Sequence, residues 1–166
     1  MKVPAGRLLR HPVALSVAVT LVAAATGAAI ANAASALPDP CTLLTKVHPE
    51  STIAKGTTVT AKLGKLVKYG SGTFATLYCP ETVGKLTVSI SVSHNGGGFG
   101  GIRVTSTSHP TGLGSGDELI VGIGQSGGPI DFIVFHTTKA YVDISANGAT
   151  PSSLTALARQ VYVLVR

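Results

Sequence analysis

Charge is what this sequence has least of. Asp, Glu, Lys and Arg make up 12% of its 166 residues, about half the share of an ordinary soluble domain. Tryptophan is absent and aromatics amount to 5%, so the interleaved aromatics on which single-stranded nucleic acid stacks are missing. There are two cysteines, without CxxC spacing or a neighbouring histidine pair, and these cannot complete a tetrahedral zinc site. Beyond residue 30 no apolar run approaches the ~18 residues needed to span a bilayer. Self-similarity at a period of 20–50 residues is also lacking, which excludes solenoids and propellers. Net charge is +6, but Lys2, Arg7 and Arg10 lie at the extreme N-terminus. The remaining excess is too small to require a polyanionic partner.

Those three cations open a secretory signal sequence. The apolar run from Val13 to Ile30 is its hydrophobic region, and Ala31-Asn32-Ala33 is an A-x-A cleavage site, with Ala34-Ser35-Ala36 as the alternative. No twin-arginine pair precedes the run, which favours general secretion. Cys41 follows Leu37-Pro38-Asp39-Pro40 rather than a small-residue lipobox, so no lipid anchor is expected. The expectation is a signal peptide over residues 1–33 and one extracellular domain over 34–166, monomeric and free of the membrane after cleavage. In that oxidising setting the simplest fate of the cysteines is a Cys41–Cys79 disulfide. Closing so long a loop stabilises a fold by about 4 kcal/mol in the chain-entropy treatment.

Along the mature chain, Asp39-Pro40 caps a short helix through Thr45, and His48 to Lys55 forms another helical turn stopped by Gly56. Thr57 to Leu66 reads as a strand weakened by Gly64, and Thr73 to Cys79 as a second. In Lys85 to Ser93 the residues Leu86, Val88, Ile90 and Val92 alternate with Thr87, Ser89, Ser91 and Ser93, which predicts one buried and one wet face. A glycine-rich loop from Gly96 to Gly101 leads to a strand over Ile102–Thr107. Three more strands follow at Glu118–Ile123, Ile130–Thr137 and Lys139–Ala146. Thr150-Pro151 then opens a helix whose Leu154, Leu157, Ala158, Val161, Leu164 and Val165 keep helical spacing. Strands joined by short turns, with helices at both ends, predict an α+β fold. Its sheet is mainly antiparallel, and the C-terminal amphipathic helix packs on it.

Asp39-Pro40-Cys41 with Leu43-Leu44-Thr45, Leu77-Tyr78-Cys79, the Gly112–Glu118 turn and Leu154-x-x-Leu157-Ala158 together resemble an actinobacterial family of secreted and lipid-anchored domains of unknown function. The resemblance spans most of the mature chain and implies a compact α+β domain with its cysteines paired. Many members are lipoproteins. This sequence differs in lacking the lipobox and in carrying Ser115-Gly116 inside the Gly-Leu-Gly-Asp turn. The resemblance brings no catalytic residues.

Gly124-Gln125-Ser126-Gly127-Gly128-Pro129 satisfies G-x-S-x-G and is similar to the nucleophile segment of trypsin-like proteases. Gln125 stands where those enzymes carry Asp, no Ala-Ala-His-Cys-like segment surrounds a histidine, and the chain is too short for two barrels. The hydrolase elbow needs a following helix, whereas Ile130 to Phe135 reads as a strand. A hairpin loop is therefore the preferred reading. The Gly96–Gly101 loop lacks the helix and lysine of a phosphate loop. His48, His94, His109 and His136, with Asp117, Asp131 or Asp143, show no recurrent metal-ligand spacing. Lys55, Lys62, Lys65 and Lys68 read as a solvated strand edge, with Lys62 and Lys68 on one face and Lys65 on the other.

The sequence thus predicts a non-catalytic binding or interaction module with no cofactor, no metal and no nucleic acid. Its expected partner is a cell-envelope component or a small ligand. The alternative is a small serine hydrolase using Ser126, with His136 or His109 as base and Asp143 or Asp131 orienting it.

Overall fold

The computed structural model describes residues 36–55, 57–96, 103–114, 116–124 and 127–166. The signal sequence, its cleavage site and Ser126 lie outside them. Helix α1 (Pro40–Val47) starts where the sequence places it: the Asp39 carboxylate accepts hydrogen bonds from the backbone N–H groups of Cys41 and Thr42, at 2.8 and 3.4 Å, and Pro40 occupies the first turn. His48, at φ 48°, ends α1 and turns the chain into α2 (Pro49–Ile53). Eight strands follow: β1 (Ala61–Leu63), β2 (Val67–Tyr69), β3 (Thr76–Val83), β4 (Leu86–Ser93), β5 (Arg103–Ser108), β6 (Glu118–Ile123), β7 (Pro129–His136) and β8 (Tyr141–Asn147). Helix α3 (Pro151–Val165) closes the fold, and its Thr150 cap accepts from the Ser153 N–H.

All strand pairings are antiparallel, in the order β1-β3-β4-β8-β7-β6-β5, with β2 also on β3. The alternation read in β4 holds on the helix-covered face, but the other face is not wet: Ser89 and Ser93 are each 7% exposed. Val88, Ile90 and Val92 are fully buried and join Ile133 and Phe135 of β7, and Val142 and Ile144 of β8, under the helices. Helix α1 packs on β3 and β4, and α3 on β7 and β8, its Leu154, Leu157, Ala158, Val161 and Val165 all buried. Leu164, expected in that stripe, is 43% exposed. The Cys41–Cys79 disulfide ties α1 to β3, with Cα atoms 5.2 Å apart. Residues Ala33–Arg166 form a compact unit, and its core is drawn from within that unit.

The early strands depart from expectation. Thr57–Leu66 yields only the three residues of β1, and β2, unforeseen, follows after a break. Pro80 causes the break. Leu63 pairs with Glu81 and Val67 with Tyr78, so three edge residues face two of β3. Proline has no N–H to donate at that point, and the ladder is bridged only by Gly64 N–H donating to the Pro80 carbonyl at 2.8 Å. A Cβ on Gly64 would lie 2.8 Å from that oxygen, so the close approach requires glycine. The added residue reverses side-chain parity. Lys62 therefore sits opposite Thr82 on one face and Lys68 opposite Leu77 on the other, rather than together.

Candidate functional site

The segment that tempted a nucleophile assignment joins β6 to β7. Ile123 pairs with Pro129, Gly124 N–H donates to the Gly128 carbonyl and Gly127 N–H to the Gly124 carbonyl, both at 2.9 Å. Gly127 takes φ 82°, a conformation glycine allows. A strand follows the segment, not the helix of a nucleophile elbow.

The companions proposed for Ser126 are distributed unevenly. His109 lies in the turn after β5, its Nδ1 2.7 Å from the Asp117 carbonyl oxygen. His136 ends β7, its ring 5.3 Å from that of Tyr141 on β8. Asp131 shares β7 with His136 but lies an odd number of residues away, on the helix-covered face with Ile133 and Phe135. It therefore cannot orient His136. Asp143 does share the His136 face: Val134 faces Asp143 and His136 faces Tyr141, which makes His136 and Asp143 diagonal neighbours.

That face, away from the helices, also carries Ser89, Ser91 and Ser145, with the Ser89 and Ser145 hydroxyls 2.6 Å apart. Asp143 sits between Ser91 and Val134, and its Oδ1 is buried without a hydrogen bond. Burial penalises the charged carboxylate and pushes its pKa up to about 7. Burial likewise raises Asp131. Glu81, 7% exposed, is raised by burial first and by Glu50 next, against a smaller lowering from His48. His48 in turn meets Glu50 at 3.2 Å. Among the described residues no group of three or more His, Cys, Asp or Glu side chains is placed to hold a metal.

Hollows open on the surface of the described residues. One, of about 430 Å³, is lined by Gly114, His136, Thr137, Thr138, Tyr162 and Arg166. Another, of about 580 Å³, lies between α2 and the start of α3 and is lined by Ser51, Thr52, Ile53, Lys55, Thr150, Ser152, Ser153, Ala156 and Gln160. It falls within the size range of small-molecule sites. Gln160 reaches across it and donates to the Thr52 hydroxyl at 3.1 Å. That leaves the Thr52 hydroxyl proton and the Gln160 carbonyl oxygen for another partner. The Ser153 hydroxyl donates to the Thr150 carbonyl at 2.9 Å, and the Ser51 hydroxyl to the His48 carbonyl at 2.8 Å. Lys55 is the one ionisable side chain in this lining.

Of these residues sequence reasoning singled out Lys55 alone, as part of the lysine run. Ser51-Thr52 and Ser152-Ser153 belong to separate helices, and only the packing of α2 on α3 makes them one wall. Comparison of the chain with protein-family models, with curated proteins and with solved structures returns no match.

Proposed function

We propose that this is a secreted, non-catalytic binding module of the extracellular space or cell envelope, which takes a small polyhydroxylated ligand in the hollow between α2 and α3. One observation carries the reading. The hollow concentrates hydroxyl and amide side chains that both donate and accept, with a single cation, while its lining holds no carboxylate, imidazole or thiol. Such a lining recognises hydroxyl groups through side chains that pair with both their protons and their oxygens. Secretion rests on the signal sequence and agrees with a disulfide, which persists in oxidising compartments. No described helix is long and apolar enough to cross a membrane. The resemblance to secreted actinobacterial domains supports the same assignment.

Titrating the isotope-labelled domain with a panel of neutral and acidic sugars tests it. The expected result is amide shift changes confined to Ser51–Lys55, Thr150–Ser153 and Gln160. Shifts elsewhere, or none with any member of the panel, overturn it.

The second reading, a Ser126 hydrolase, has one observation in its favour, the diagonal placement of His136 and Asp143 on a single sheet face. A fluorophosphonate probe separates the two readings. The binding module stays unlabelled, whereas stoichiometric labelling lost in Ser126→Ala would establish the hydrolase.

A further inference from the structure

Both edges of the sheet are exposed, but the one formed by β1, β2 and the turn after them carries more large apolar side chains than β5, where Val104 stands alone. Every residue from 60 to 74 is exposed. Nine large hydrophobic side chains of the described residues stand exposed, and five of them fall here: Leu63, Leu66, Val67, Tyr69 and Phe74, the last 80% exposed. Lys62, Lys65 and Lys68 are interleaved with them, and no Asp or Glu occurs between Glu50 and Glu81. The described residues contain one ion pair, His48–Glu50, so these three ammonium groups face no carboxylate partner of their own fold. Tyr69 is steadied by Tyr78 at 6.3 Å. Leu63 and Lys68 lie on the helix-covered side of this edge and Lys62, Val67 and Tyr69 on the other. It is therefore the rim of the sheet, seen edge-on, that is apolar, aromatic and cationic at once. The fold neither buries nor neutralises it, and it is built for contact outside the chain.

We propose that the β1–β2 edge docks the protein peripherally on an anionic lipid bilayer. The chemistry narrows the occupant. A hydrated anionic polymer would satisfy the lysines but give the apolar side chains nothing to enter. An added β-strand needs a regular ladder, and the break opposite Pro80 interrupts it. A second copy would bring lysine against lysine. An anionic interface satisfies both halves at once, with ammonium groups among the headgroups and Leu66, Tyr69 and Phe74 at the acyl boundary. Docking of this kind departs from the expectation of a mature chain free of the membrane, which rested on the lack of a second membrane-spanning run. Docking is separate from ligand capture between α2 and α3, and either can hold without the other.

Co-sedimentation of residues 34–166, which contain the whole core, tests it with phosphatidylcholine vesicles and with vesicles enriched in phosphatidylglycerol. Binding is expected to the anionic vesicles alone and to weaken with salt. Each lysine contributes about fivefold to partitioning, so Lys62→Gln with Lys65→Gln and Lys68→Gln should reduce it about 100-fold. Leu66→Ser with Phe74→Ser should reduce it about tenfold or more, and both variants should keep the parent melting temperature. Equal binding to both vesicle types overturns the proposal, as does failure to bind either. So does an apolar double variant that binds like the parent, which would make the lysines a polymer site.

Discussion

Strands β4 and β1 lie two positions apart in one sheet and are held in opposite ways. β4 is paired on both sides, and its Val88, Ile90 and Val92 are fully buried beneath the helices. β1 and β2 pair on one side only, with all six of their residues exposed. In the centre, packing holds the backbone and dictates residue type. At the edge, three-residue ladders hold it, and Gly64 is the position that packing dictates. Composition is therefore constrained by the fold in the first region and released from it in the second. That is why an apolar, cationic run at the edge is read as a sign of an outside contact.

The comparison breaks most sharply under core truncation. Phe135, fully buried and edge-on to Tyr162 at 5.6 Å, should cost about 3–5 kcal/mol as Phe135→Ala, measured by denaturant unfolding. A loss below about 1 kcal/mol would mean that the central packing is not what holds the sheet. Replacing both cysteines by serine should cost about 2–4 kcal/mol by releasing α1 from β3. An unchanged midpoint under reducing conditions would contradict that.

Asp143 gives the comparison a pH axis. Its folded pKa, about 7, lies above the unfolded value of roughly 4. The stability it supports is complete below the unfolded pKa and is lost as pH rises through 7, because the unfolded chain ionises first. Glu81 and Asp131 are raised too and slope the same way. Asp143→Asn should flatten the decline and gain on the order of 4 kcal/mol at pH 8 relative to pH 4. A stability profile parallel to the parent's would show the carboxyl to be solvated. The smallest effect belongs to the edge. Leu66, 47% exposed, should change stability by less than about 0.5 kcal/mol as Leu66→Ser. A larger loss would mean that the edge is packed and would remove the reason to look outside the fold for its partner.

The parts legible in the sequence are those where a local rule and the tertiary fold agree. Asp39-Pro40 capped α1 and Thr150-Pro151 opened α3 because capping is decided by neighbours in sequence. The apolar half of the β4 alternation survived because the helices cover that face, whereas the wet face expected at Ser89 and Ser93 is buried as well. The β1–β2 break did not survive reading, because its cause, Pro80, sits on a different strand. The same distance hid the hollow, since its two walls are contributed by helices about a hundred residues apart in sequence.

By itself the sequence determined the α+β class, most strand positions from β4 onward and the pairing of Cys41 with Cys79. Each follows from periodicity, caps or the small number of cysteines. Tertiary structure alone decided that Asp143 joins His136 on one face. It also buried the Asp143 carboxyl, assembled a polar hollow from two helix ends, and split Lys62 from Lys68. These outcomes depend on register across strands and on what covers each face, and neither is written in the local order of residues.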